Sequence, residues 1–222
     1  MVARCPWRTY ILSVPVSPRF IGPCSPVPTK VPPTGDAWLH EAKLDGYRLQ
    51  IIKEGRGVRL YSRRGSEWTK LLATVAEALQ GIACRSATID AELVLPDSRG
   101  RPDFYGLHRG WRSAGAQLAV FAFDLLYRDG KDLRALPLVE RRRRLTRLLA
   151  RSDVPCLYLV DTFEDGGALL RQCEAMGLEG IVSKRRDAAY VSGMNKNWRS
   201  SKTAAWRKAN TERWRSFTER QR

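Results

Sequence analysis

Eight of the twelve prolines stand before Gly35: Pro6, Pro15, Pro18, Pro23, Pro26, Pro28, Pro32 and Pro33. Each locks its own φ and lacks a backbone N–H, so helix and central strand are both ruled out at this density. Residues 1–35 therefore read as an extended leader with few hydrogen bonds of its own. The globular pattern begins at Trp38.

Beyond that point strand signals dominate. Arg48 to Lys53 and Val58 to Ser62 flank Glu54-Gly55-Arg56-Gly57, which predicts a hairpin. Ala87 to Leu95 reads as a strand stopped by Pro96, and Leu118 to Tyr127 as a longer apolar strand ended by Asp129-Gly130. Helical spacing covers Leu71 to Leu79 and Gly167 to Met176, and a strand follows at Gly180 to Lys184. Leu138, Leu145, Leu148 and Leu149 predict one apolar helix face, with Arg141 to Arg144 as a solvated face opposite. Strands and helices mix without strict β-α-β alternation. The expected class is α+β, with antiparallel sheets flanked by helices.

The charge narrows the partners. In 222 residues, 39 Lys and Arg oppose 23 Asp and Glu, a formal charge of +16. Such a surplus points to a polyanion, most commonly nucleic acid. The five cysteines are dispersed with no Cys-x-x-Cys pair, and only His40 and His108 could assist a zinc site. Structural zinc is not expected, a reducing cytoplasm is, and Cys84 and Cys173 read as core residues. No window approaches the ~18 apolar residues of a spanning helix, and Pro6 and Pro15 bracket the short run Tyr10 to Val14, so neither membrane nor secretion is expected. Lys196 to Arg222 holds nine basic and two acidic residues with Trp198, Trp206 and Trp214 interleaved. Residues 204–222 read as a basic tail or helix with Trp206, Asn210, Trp214 and Phe217 near one face. Arg199 before it, and Arg207, Lys208 and Arg213 within it, are candidate nucleic-acid contacts.

The chemistry concentrates at Glu41-Ala42-Lys43-Leu44-Asp45-Gly46-Tyr47-Arg48. A lone lysine among charges is normally a surface lysine, but the spacing Lys-x-Asp-Gly-x-Arg is more specific. Four further blocks follow in order: Ser62-Arg63-Arg64-Gly65, Ile89-Asp90-Ala91-Glu92, Phe121-Ala122-Phe123-Asp124 and Glu179-Gly180-Ile181-Val182-Ser183-Lys184. Together they resemble the covalent nucleotidyltransferases, which comprise ATP-dependent DNA ligases, RNA ligases and capping enzymes. Trp38-Leu39-His40-Glu41 and Gly177-Leu178-Glu179-Gly180 look most like bacterial ATP-dependent DNA ligases of the end-joining type. The likeness runs from about Phe20 to Lys202.

That resemblance implies a nucleotidyltransferase (ATP-grasp-like) domain over residues 36–203 without an OB-fold domain, since some 20 residues follow Lys202. It implies that Lys43 forms lysine–AMP from ATP, with Mg²⁺ or Mn²⁺ held by Glu92 and Glu179. Arg48 and Arg63 would face ribose and phosphate, or later a DNA 5′-phosphate. Glu92 would hold a ribose hydroxyl or a metal-bound water, Phe123 would stack on adenine, and Glu41 would meet its amino edge. An amine attacks phosphorus only when unprotonated, and its ordinary pKa is about 10.4. Lys184, Lys202 and Arg48 are the cations expected to lower it and to steady the charge growing on the phosphate oxygens. Read without the resemblance, Phe123 is equally a core residue and Arg63 and Arg64 plain hairpin charges.

The implied partners are nicked or broken double-stranded DNA in repair and recombination, with end-binding, polymerase or nuclease proteins acting in trans. A monomer in the bacterial cytoplasm, associated with the nucleoid, is expected. Two other readings stay open: a degenerate, non-catalytic nucleic-acid-binding or adaptor module, and an RNA ligase or capping-type transferase. Two departures bear on them. Asp90-Ala91-Glu92 has alanine where many relatives have glycine, so Ala91 must take ordinary β backbone. Trp198-Arg199-Ser200-Ser201-Lys202 replaces the usual Trp-x-Lys-x-Lys, leaving Lys202 alone, with Arg199 on the opposite strand face. One charge-assisted contact is worth about 1.5–3 kcal/mol, so its loss slows adenylylation roughly 10- to 100-fold.

Overall fold

The computed structural model describes residues 18–114 and 117–209. In chain order the elements are β1 (Cys24–Pro28), β2 (Trp38–Lys43), β3 (Tyr47–Glu54), β4 (Gly57–Ser62), α1 (Ala73–Ala78), β5 (Ser86–Val94) and α2 (Phe104–Ala114). Then come β6 (Ala119–Arg128), β7 (Lys131–Asp132), α3 (Leu138–Leu149), β8 (Leu157–Leu159), α4 (Gly166–Ala175), β9 (Gly180–Arg185) and β10 (Gly193–Lys202). Residues 204–209 add a short helical segment.

Two sheets result. The larger runs β4-β3-β5-β6-β7, with β8 alongside β6. Its alternating residues Leu49, Ile51, Ile89, Ala91 and Leu93 are fully buried and pack under α1 and α3 through Val75, Leu145 and Leu148. The smaller sheet runs β1-β10-β9-β2. Ile181 on its outer face packs on Leu169 and Cys173 of α4, so a helix covers one side and the other is left for the larger sheet. The α+β class with flanking helices is as expected, but the sheets are mixed. The pairs β1–β10 and β6–β8 are parallel and the others antiparallel.

The hairpin, the strands at 86–94 and 119–128, and helices α1, α3 and α4 lie where the periodicities put them. The leader does not hold as expected. Cys24 to Pro28 is a strand hydrogen-bonded along β10, and Cys24 is buried at 1% exposure. Its prolines are accommodated because β1 is an edge strand with one unpaired side. The solvated face of α3 is also corrected. Arg143 and Arg144 do pair with Glu140 near the surface, whereas Arg141 and Arg142 are buried. They stand three and four residues after Leu138, which puts them on the buried side with Leu145.

Helix α2 lacked an apolar period in the sequence. It is started by Asp103, whose carboxylate accepts from the Gly106 N–H at 2.9 Å, and anchored by the fully buried Leu107. Of the proposed C-terminal helical face, Trp206 is on segment 204–209; Asn210, Trp214 and Phe217 lie outside the described residues. No helix among the described residues is long and apolar enough to cross a membrane.

Candidate active site

Lys43 ends β2 in the smaller sheet and Tyr47 begins β3 in the larger. Leu44-Asp45-Gly46 therefore carries the chain from one sheet to the other. A Cβ on Gly46 would lie 2.2 Å from the Leu93 carbonyl oxygen, so only glycine lets the crossing chain lie this close to β5. A cleft of about 760 Å³ opens at this joint, within the roughly 300–1,000 Å³ of small-molecule sites. Lys43, Glu41, Arg48, Arg63, Glu92, Phe123, Glu179, Lys184 and Lys202 all line it. Strand alternation explains the set: Glu41 and Lys43, Val182 and Lys184, Trp198, Ser200 and Lys202 share one sheet face.

At one end of the cleft, Lys43 and Lys202 both pair with Gly180 in the ladders. This register delivers both ammonium groups to the preceding residue, Glu179. Lys43 Nζ donates to Glu179 Oε2 at 2.7 Å and Lys202 Nζ stands 3.1 Å from Oε1. Gly180 is required here, because a Cβ would sit 2.2 Å from the Ser201 carbonyl oxygen. Lys202 Nζ also lies 3.4 Å from the Trp206 ring centroid. Glu92 approaches from the larger sheet, where it pairs with Arg48. Burial pushes its carboxyl pKa up to about 7, against the pull of Arg48 and Lys43. Among the described residues no hydrogen bond reaches that carboxyl. At the mouth, Arg63 Nη2 donates to Ser25 Oγ of β1 at 3.1 Å.

The other end is aromatic. In β6 the register jumps from Asp124 opposite Asp90 to Ala122 opposite Ala91, so Phe123 is the extra residue of a β-bulge. The bulge aims its ring at Trp198, edge-on at 6.2 Å between centroids. Arg48 lies with its guanidinium 4.4 Å from the Phe123 centroid. It is fixed there by two 2.7 Å bonds to Asp90. Tyr190 donates to the same carboxylate at 2.5 Å and accepts from the Cys24 N–H at 2.9 Å. Glu41, 3% exposed, accepts from Arg142 Nη1 at 2.7 Å on Oε1 and forms an ion pair with Lys184, whose Nζ stands 2.5 Å from Oε2.

Lys184, expected as one of the cations near Lys43, is paired with Glu41 and not with Glu179. It stands 4.3 Å and 4.1 Å from the Phe123 and Trp198 centroids, and burial lowers its pKa while Glu41 opposes the shift. Lys202, not Lys184, shares a carboxylate with the Lys43 ammonium. Arg199 points to the far face, 5.1 Å from the Trp38 ring centroid, as its strand parity requires. Arg207 folds back to donate to the Lys202 carbonyl at 2.5 Å, Lys208 is exposed, and Arg213 lies outside the described residues.

Several site residues escaped the sequence reading. Asp90 was inside a recognised block, and its burial in a β-strand was the signal that it needed a cation. Arg142 was hidden in a run of four arginines, although its distance from Leu138 marked it as buried. Tyr190 and β1 gave no local signal, because the partners of the Tyr190 hydroxyl and of β1 lie 100 or more residues away in the chain.

Comparison with known proteins agrees with this geometry. The family model for the ATP dependent DNA ligase domain matches residues 23–202, from the start of β1 to the last residue of β10. The chain is 39% identical over 183 residues to the multifunctional non-homologous end joining protein LigD of Pseudomonas aeruginosa, a match covering 82% of this chain and 22% of that protein. A probable DNA ligase of Saccharopolyspora erythraea is 31% identical over 195 residues, covering 85% of this chain and 38% of its own length. Among solved structures, a mycobacterial DNA ligase D complexed with ATP and MES aligns at a TM-score of 0.73 and 29% identity, over 82% of this chain and 60% of that one. The chain spans roughly a fifth to two fifths of the length of these two relatives. With the family model running through every strand that lines the cleft, from β1 to β10, the chain belongs to the ATP-dependent DNA ligase domain family.

Proposed function

We propose that the chain is an adenylyl-transferring DNA ligase catalytic domain acting in end joining, with Lys43 as its nucleophile. The observation that carries this reading is the Lys43–Glu179–Lys202 cluster at the end of a cleft sized for a nucleotide. Lys43 Nζ forms a P–N bond to the α-phosphate of ATP as the α–β bridging P–O bond breaks and pyrophosphate leaves. AMP then passes to a 5′-phosphate at a DNA nick. Attack by the 3′-hydroxyl forms the phosphodiester and releases AMP. Glu179 accepts from the Lys43 ammonium and is the nearest base for its proton. Lys202 stands where negative charge grows on the phosphate oxygens, and preorganised cations there act without reorganising.

At the aromatic end, Phe123 and Glu41 take the adenine, with Arg48 and Arg63 toward ribose and phosphate. A divalent ion, Mg²⁺ or Mn²⁺, fits Glu92 and Glu179. The described residues contain no cluster of three or more candidate metal ligands, and Mg²⁺ is commonly held by one or two carboxylates together with phosphates. Glu92, whose carboxyl receives no hydrogen bond among the described residues, is the carboxylate such an ion would relieve. When bound, the ion supplies charge neutralisation on the phosphates. The proposed substrate is nicked or broken double-stranded DNA in the bacterial cytoplasm, handled as a monomer with end-binding, polymerase or nuclease proteins in trans.

The test is incubation with α-labelled ATP and Mg²⁺. An acid-labile adduct is expected on the unmodified chain and none on Lys43→Ala. The isolated adduct should discharge AMP onto a 5′-phosphorylated nick in DNA. A chain that never carries label is not an adenylyltransferase, and discharge confined to an RNA nick would move it to the RNA ligases.

A further inference from the structure

Arg142 belongs to none of the sequence blocks that suggested the site, yet it ties the aromatic end together. Its side chain comes from α3, on the far side of β6, and is 7% exposed. Nη1 donates to Glu41 Oε1 at 2.7 Å and to the Phe123 carbonyl at 3.1 Å, and Nη2 to the Val160 carbonyl at 2.5 Å. The Phe123 carbonyl belongs to the extra residue of the bulge, which has no Cα partner on β5. Arg142 satisfies that carbonyl and so holds the bulge open, and the same nitrogen holds the carboxylate of β2.

We propose that Arg142 is a positioning residue for the base end of the cleft, locking Glu41 and Phe123 as one unit and thereby setting selectivity for adenine over 6-oxopurines. The proposal rests on the reading of Glu41 and Phe123 as base-contacting groups. A carboxylate oxygen that already receives one donor keeps a lone pair for another. It can accept from the exocyclic amine of adenine, but it meets an acceptor at position 6 of hypoxanthine. Selectivity then depends on where the carboxylate stands. Lys184 pairs with Glu41 independently of Arg142, so loss of Arg142 changes the placement of the carboxylate more than its charge. Lysine is no substitute, because a single ammonium does not reproduce a planar fork serving one carboxylate and two carbonyls.

Equilibrium binding of ATP and of inosine triphosphate, measured calorimetrically on the full chain, separates the alternatives without requiring turnover. The unmodified chain should prefer ATP. Arg142→Lys should lose about tenfold of that preference, the worth of one hydrogen bond, with affinity for inosine triphosphate little changed. Glu41→Gln should lose a similar factor, and the double variant no more than either single one. Thermal unfolding of each variant checks the fold; Arg142→Met is a second probe if Arg142→Lys proves silent in both measurements. A preference unchanged in both Arg142 variants, or equal weakening of both nucleotides, overturns the proposal. An unmodified chain without ATP preference removes the base-end assignment as well. A preserved preference without a Lys43 adduct strikes only the catalytic reading.

Discussion

Ser200 stands where the motif resemblance set out above expects a lysine, and the strand face tells what a change there should do. Trp198, Ser200 and Lys202 alternate on β10 and all line the cleft. A lysine at position 200 would therefore enter on the same side as Lys202. Ser200→Lys should raise the rate of adduct formation roughly tenfold, the effect of one added charge-assisted contact, read in single-turnover labelling. No acceleration would mean that Lys202 alone supplies the cationic stabilisation. Glu92 makes a second prediction at this scale, in pH. Its carboxyl titrates near 7 in the fold against an ordinary 4.5, chiefly through burial. Between those values the native chain keeps a proton that the unfolded chain has lost, so this group's contribution falls as pH rises through the window. Above it, the cost of holding this half-buried carboxyl in its charged form is present. Glu92→Gln should melt a few degrees higher than the unmodified chain at pH 8 and about equally at pH 4.5. Identical melting curves at both values would contradict the buried-carboxylate reading.

At the scale of elements, α3 shows what the sequence made legible and what it concealed. The helix itself was plain from Leu138, Leu145 and Leu148. Its arginines were misread because a run of like charges looks solvated, while the 3.6-residue period puts Arg141 and Arg142 on the leucine side. Strand-forming blocks such as Ile89 to Glu92 were legible because half of each strand is core. Strand β10 was not: Trp198 is its one large buried residue, and it is held by ladders to β1 and β9 that no local pattern announces. The cleft residues were found through block order, their two clusters only through register. Arg141 tests the corrected view of α3. It makes a bidentate pair with Asp124, both fully buried, and serves the Leu136 and Ala188 carbonyls. Arg141→Met strands a buried carboxylate and should cost about 3–5 kcal/mol in denaturant unfolding. Adding Asp124→Leu should recover part of this but not all, because those two carbonyls still lack their donor.

For the whole molecule, the +16 charge divides into parts that do different work. At the cleft and just behind it, Lys184 and Arg142 share the one carboxylate of Glu41, as Lys43 and Lys202 share that of Glu179, so each group keeps a positive charge over, whereas Arg48 is matched by Asp90. Arg141 is matched in the same way by Asp124. The field that draws the proposed DNA substrate has a further source in the sequence, since residues 210–222 carry four arginines against two glutamates. Arg207 is turned back onto the Lys202 carbonyl, at the Lys43–Glu179–Lys202 end of the cleft. Arg213, Arg215, Arg220 and Arg222 lie farther along the chain, outside the described residues, so replacing them leaves Arg207 and Trp206 themselves unaltered. Each phosphate neutralised by a protein cation contributes about −0.9 to the slope of log K against log salt on duplex DNA. Replacing all four arginines by glutamine should therefore flatten the slope for a nicked duplex by up to about 3.6 and weaken binding most at low salt. The rate of adenylyl transfer to Lys43 should stay unchanged, because the four side chains are remote in sequence from every cleft residue. A slope that does not move would assign the DNA-facing field to the rim of the cleft, where Arg63 and Arg64 stand, and leave the tail with a packing role.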